Sequence, residues 1–226
     1  MGAFVVQGDA NSLMKYHISL ILLRMVLGER KGENKKILLS NKWITVWKES
    51  FYLPNGTFIP EYYFVQKPDF VIIVPLLKTK EVLMLHQWRP IPQSPIYNLP
   101  MGFVEPTDSS PLAAAQREFE EEIGYTAETW IELGSYWRAP SFLTTKAHIY
   151  LTYCTKGVRS QARDIQEAAN VKKMDIPTAK NRTSDLTSLT ALLLAEQWLQ
   201  KKARTTTVRA QKISWQRRNV RGQNRS

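Results

Sequence analysis

The sequence predicts an α+β fold in which a mixed sheet packs between helices, and three observations predict it. Strand-like segments occupy 38–88, an amphipathic helix rich in acids follows at 111–123, and two more strand-like segments precede a second helix at about 184–202. Strands, helix, strands, helix, with no internal repeat, is the order of a layered domain around one core. Extensions flank it, so the chain divides into an N-terminal extension (1–37), an N-terminal strand subdomain (38–66), a main domain (67–202) and a basic tail (203–226).

Residues 13–27 (LMKYHISLILLRMVL) are the most apolar stretch, interrupted by Lys15 and Arg24. Spanning a bilayer takes about 20 apolar residues, and the unbroken run here is only Leu20–Leu23. Gly28-Glu-Arg-Lys offers no small-residue cleavage site for a signal peptide. A helix docking on the domain or on a partner is expected, followed by a polar linker at 28–37.

Strand patterning starts at Leu38. Trp43–Trp47 and Tyr62–Val65 are β-rich and flank a Pro54-Asn-Gly56 turn. Phe70–Leu77 is a continuous apolar run suited to a strand buried on both faces. Glu81–Trp88 is its expected partner across the Lys78-Thr-Lys-Glu turn, and Thr129–Arg138 and Ala147–Thr155 supply later strands. In the last helix Leu186, Leu189, Leu193 and Ala195 are expected to face inward.

The acidic helix is well delimited. Asp108, Ser109 or Ser110 serves as N-cap, Pro111 opens the first turn and Gly124 is the C′ residue. At roughly 100° per residue, Glu118, Glu121 and Glu122 share one arc, while Leu112, Gln116, Phe119 and Ile123 repeat on the other side. Like charges at i,i+3 and i,i+4 repel. A divalent cation turns that penalty into a site, since Mg²⁺ takes carboxylate oxygens and keeps waters for phosphate chemistry.

Charge and cysteine content narrow the functional classes. The net charge of +11 is concentrated at the C-terminus: residues 201–226 hold nine Lys/Arg and no acid, leaving 22 basic against 20 acidic residues elsewhere. Such a tail suits RNA, DNA or an acidic membrane surface, but its composition reads more plainly as a solvated, disordered end. The lone Cys154 excludes an intramolecular disulfide and a thiolate metal cluster, which implies a reducing, cytoplasmic setting. His17, His86 and His148 show no ligand spacing, and the sequons at Asn55 and Asn181 stand without any other sign of secretion.

Gly102 together with Arg117-Glu-Phe-Glu-Glu-Glu-Ile-Gly-Tyr125 resembles the Nudix box, the loop–helix–loop signature of Mg²⁺-dependent hydrolases of nucleoside diphosphates linked to another group. The half from Arg117 to Tyr125 matches at every constrained position. The loop upstream is one residue longer than usual, and Asp108 stands where Glu is common. The resemblance covers roughly 38–200 and is closest to the ADP-ribose pyrophosphatase branch, through Gln87-Trp-Arg-Pro90, Leu99-Pro-Met-Gly102 and Pro140; Asn98 stands where that branch usually shows Glu. It implies a Nudix-type α/β/α sandwich with an added antiparallel strand subdomain, and a homodimer that exchanges its N-terminal strands.

From the resemblance, Glu118, Glu122 and Glu121 are the expected metal ligands with the carbonyl of Met101. The ion is Mg²⁺, with Mn²⁺ as the alternative. Arg117 is expected to buttress the box by pairing with Asp108 or a glutamate, and Glu167, in the acidic loop Asp164-Ile-Gln-Glu167, is the candidate general base. Arg89 suits a phosphate as a guanidinium fork, Trp43, Tyr62 or Tyr63 a purine, and Met101, Gly102 and Phe103 the substrate's edge. The leading expectation is hydrolysis of ADP-ribose or a related nucleoside diphosphate sugar. A UDP- or GDP-sugar pyrophosphatase is the sister reading, and a non-catalytic ligand sensor or nucleic-acid-binding protein using the basic tail comes from a different class.

Overall fold

The computed structural model describes residues 32–155 and 170–223, with side chains through Thr207. The chain forms two compact units, one comprising residues up to Lys67 plus Ala139–Thr144, the other Pro68–Arg138 plus Thr145 onward.

The N-terminal unit is an antiparallel sheet of three strands in the order β1 (Gly32–Ser40), β2 (Thr45–Tyr52), β3 (Phe58–Gln66). The Pro54-Asn-Gly turn forms as expected: Gly56 adopts φ 83°, a left-handed conformation that glycine enters freely, and Asn55 Oδ1 accepts from Thr57 N–H at 3.0 Å. Aromatic packing across β2 and β3 holds the sheet, with Trp47 stacked on Phe64 at 5.2 Å and Phe51 edge-on to Tyr62 at 5.5 Å. Residues 139–144 join it through Val65, which donates to Phe142 O at 2.8 Å and accepts from Thr144 N–H at 3.0 Å.

In the second unit the described residues build a mixed sheet. Its path runs β10 (Asn170–Asp175), β5 (Glu81–Arg89), β4 (Phe70–Leu77), β9 (Lys146–Thr155), β8 (Thr126–Trp137), with β6 (Ser94–Asn98) on β5 and β7 (Met101–Phe103) on β4. β4 and β9 run parallel and the other pairs antiparallel. Every residue of β4 is buried, as its apolar run predicts. Its alternating side chains feed two cores. Val71 and Ile73, with Leu83 and Leu85, pack on Ala114, Ala115, Phe119 and Ile123 of helix α1 (Pro111–Glu122) and its C-cap. Ile72, Val74 and Leu76 pack with Leu99 against helices α2 (Ile176–Arg182) and α3 (Leu186–Gln223). Burial of each such side chain contributes about 1.5–3 kcal/mol.

Several expectations are corrected. The end of the predicted linker, Gly32–Ile37, is strand, because backbone pairing with β2 carries a segment whose side chains stay mostly exposed. The tail expected to be disordered continues α3 to Gln223. Ala, Lys, Arg and Gln are good helix formers, and propagation from a docked helix avoids the unfavourable nucleation step. Gln116 is exposed, and Ala114 and Ala115 take the inward positions. Leu186 and Leu193 are also exposed; Ala195 is buried as expected, together with Ser188, Ala191 and Leu192. The helix expected at 13–27 lies outside the described residues.

Cys154 is 1% exposed, and burial pushes its thiol up to about 12. The thiolate is the reactive form, so Cys154 should resist iodoacetamide at pH 8 in the native protein and react once urea unfolds it. Mass spectrometry of the alkylated chain checks this.

Candidate active site

The site begins with β7. This short strand pairs with the centre of the core, Ile72 opposite Met101 and Val71 opposite Gly102, so its backbone is fixed by the most buried strand of the unit. Helix α1 then packs over the same strand. Ser110 caps it, its Oγ accepting from Ala113 N–H at 3.1 Å; Pro111 opens the first turn and Gly124 follows the C-cap with φ 65°. With Ala115, Phe119 and Ile123 turned to the sheet, the flank that meets β7 carries Arg117, Glu118, Glu121 and Glu122.

Arg117 is the hub. It donates to both oxygens of Asp108, Nε to Oδ1 at 3.2 Å and Nη2 to Oδ2 at 3.0 Å. Nη2 also donates to the carbonyl of Phe103 at 2.9 Å, and Nη1 to Glu118 Oε1 at 2.8 Å and Glu121 Oε2 at 3.3 Å. Glu105, which no sequence pattern singles out, has a carboxylate 4.0 Å from Nη1. The guanidinium holds the Asp108 carboxyl below its usual range, and Asp108 in turn raises the already high Arg117 value. Glu118 moves the other way: its burial outweighs the pull of Arg117 and raises its pKa.

Two glutamates reach back to the strand. Glu122 Oε2 accepts from Met101 N–H at 3.0 Å. The Glu118 carboxylate lies over Gly102 so closely that a Cβ there would sit 2.0 Å from its Oε1. Glycine at 102 is therefore what admits this carboxylate.

The donor set fits a hard divalent cation: three carboxylates on one helix flank and the Met101 carbonyl, all oxygen. A cation would also favour the charged form of Glu118, which burial opposes. Among the described residues no three acids are yet gathered at metal-binding distance. Glu118 and Glu121 are shared with Arg117 and Glu122 with Met101 N–H, so coordination would exchange those contacts for metal bonds.

The other candidates are placed as follows. Arg89 ends β5 opposite Ser94, and Glu167 lies outside the described residues. Trp43, Tyr62 and Tyr63 belong to the N-terminal unit. Tyr62 donates to Ser141 O and packs on Phe51 and Phe64, a packing residue, whereas Trp43 and Tyr63 are exposed. Asn98, in place of the branch's usual Glu, is buried, accepting from Gln87 Nε2 at 3.2 Å and donating to Leu99 O at 3.1 Å.

A mixed sheet between helices, with a carboxylate-bearing helix closed on a glycine strand end by one arginine, is the frame of a Nudix hydrolase. Residues 67–193 match the NUDIX domain, and the chain belongs to that family. It is 28% identical over 148 residues to the ADP-ribose pyrophosphatase of Bacillus subtilis (strain 168), covering 66% of this chain and 78% of that one. To the ADP-sugar pyrophosphatase of Mus musculus it is 31% identical over 111 residues, 45% of this chain and 50% of that protein. A crystal structure of an ADP compounds hydrolase shares the fold, with a TM-score of 0.65 at 19% identity over 78% of this chain and 97% of that chain.

Replacing Arg117 with Lys removes the two-pronged bond to Asp108 and leaves one donor group among several acceptors. The variant should lose about 1.5–3 kcal/mol, read from the midpoint of urea unfolding.

Proposed function

We propose that the protein hydrolyses the pyrophosphate bond of ADP-ribose or a related nucleoside diphosphate sugar in a Mg²⁺-dependent reaction, releasing a nucleoside monophosphate and a sugar phosphate. The observation that carries this reading is the convergence of Glu118 and Glu122 on Met101 and Gly102 of β7. The names of the pyrophosphatases it resembles support the substrate class.

In this reading Glu118, Glu121, Glu122 and the Met101 carbonyl hold the cation. When bound, it supplies neutralisation of the diphosphate oxygens and a more acidic water. Arg117 keeps the glutamates oriented through Glu118 and Glu121 while Asp108 and the Phe103 carbonyl fix its own position. Glu167 is proposed as the base that takes the water's proton, and Arg89 as a fork for a substrate phosphate.

Glu122→Gln keeps an acceptor for Met101 N–H but removes the charge. It should cut turnover of ADP-ribose by at least about 10²-fold at unchanged Tm, since loss of even a partner that only orients a metal ligand costs about 10–100-fold. A panel of ADP-ribose, UDP-glucose and GDP-mannose, each coupled to a phosphatase, ranks the substrates. Faster release from UDP- or GDP-sugars would transfer the assignment to the sister class, and no release from any diphosphate sugar would end it.

A homodimer belongs to the same reading. Among the described residues of its unit β1 is an edge strand, and it exposes Ile37, Leu38 and Leu39 in succession, an apolar edge of the kind a second chain covers. Light scattering should return twice the chain's mass, and Leu39→Lys should shift it toward the monomer. The cytoplasmic setting rests on the single buried Cys154; no described helix is long and apolar enough to cross a membrane.

A further inference from the structure

We propose that Ser188 is a positioning residue for the metal site: from the first turn of α3 it fixes the β6–β7 link, and with it the Met101 carbonyl. This rests on the reading of Met101 and the box glutamates as metal ligands.

Ser188 is fully buried, and both functions of its hydroxyl are used. Its Oγ accepts from the backbone N–H of Leu99 at 2.9 Å and donates to Asp185 Oδ2 at 2.6 Å. Asp185 is itself held, since its carboxylate accepts from Ser188 N–H at 2.8 Å and from Thr187 N–H at 3.4 Å. Thr183 adds a second fastening, its Oγ1 donating to Tyr97 O at 2.7 Å and accepting from Asp185 N–H at 3.1 Å. The segment 183–188 is thus clasped along Tyr97–Leu99.

What is clasped is the approach to the site. Two residues beyond Leu99, Met101 N–H donates to Glu122 and Met101 pairs with Ile72. Between them Pro100 can donate no hydrogen bond, and its carbonyl accepts from Ile73 N–H at 3.0 Å. Leu99 N–H is therefore the last backbone donor before the proposed ligand, and a side chain from 89 residues away in sequence satisfies it. An apolar residue at 188 would strand that buried N–H and free the link to shift. Partners bonded directly to metal ligands typically change metal affinity by about 10–100-fold, and Ser188, which acts two residues before Met101, is expected at the lower end of that range.

The test titrates Mn²⁺ into the full chain, followed by electron paramagnetic resonance, and measures amide exchange at Leu99 and Met101. Ser188→Ala should weaken Mn²⁺ binding about tenfold and speed exchange at Leu99. Ser188→Thr, which keeps the hydroxyl but adds a buried methyl, should lose stability yet retain wild-type Mn²⁺ affinity. Leu192→Ala, a cavity in the same helix without a bond to the link, controls for stability alone. Wild-type Mn²⁺ affinity in Ser188→Ala, or equal weakening in Leu192→Ala, would overturn the positioning role. A wild-type chain that binds no Mn²⁺ would instead remove the metal reading beneath it.

Discussion

Arg117 sits among the carboxylates of Asp108, Glu118, Glu121 and Glu105, and the geometry of the site depends on how its one positive charge is divided. Without it, like charges at i,i+3 and i,i+4 on α1 would repel and the buried Glu118 would hold its charge at a still greater penalty. Its planar fork satisfies Asp108 on one edge and Glu118 with Glu121 on the other, while a fifth contact ties it to the Phe103 carbonyl. The last contact joins the end of β7 to the helix that bears the acids.

That junction is stiff because both of its sides are anchored in core. β7 is paired to β4, which is buried along its whole length, and α1 presses Ala115, Phe119 and Ile123 on one face of the same sheet. A displacement of either would open packed apolar surface, at about 25 cal/mol for each Å² exposed.

The sequence made local features legible and long-range ones illegible. Ser110, Pro111 and Gly124 delimit α1 through chemistry confined to one turn, and the apolar run Phe70–Leu77 announces a doubly covered strand. The polar first half of β1 and the strand β10 carry no strand pattern, since edge pairing depends on backbone partners rather than on side-chain pattern. The face of α3 is legible only in part. Leu186, Leu189, Leu193 and Ala195 have helical spacing, but the sheet selects the phase: Ala195 is buried as expected, joined by Ser188 and Ala191, whose small side chains permit close approach, while Leu186 and Leu193 are exposed. Within the site, three acids on an arc could be read from Glu118, Glu121 and Glu122. That Arg117 would bond Asp108 and two glutamates at once, or that Ser188 would reach Leu99, requires the folded chain.

The loop from β7 to α1 shows how Arg117 is met by a carboxylate outside its own helix. The loop closes on itself: Asp108 N–H donates to Glu105 O at 3.0 Å, and Glu105 N–H donates to Asp108 Oδ2 at 2.8 Å. The Asp108 side chain, held by that turn, meets Arg117 with both oxygens. The same guanidinium bonds the Phe103 carbonyl and Glu118, so the loop, the end of β7 and the helix share one cation. The approach of Glu118 to Gly102 is thereby fixed from three sides of the chain at once.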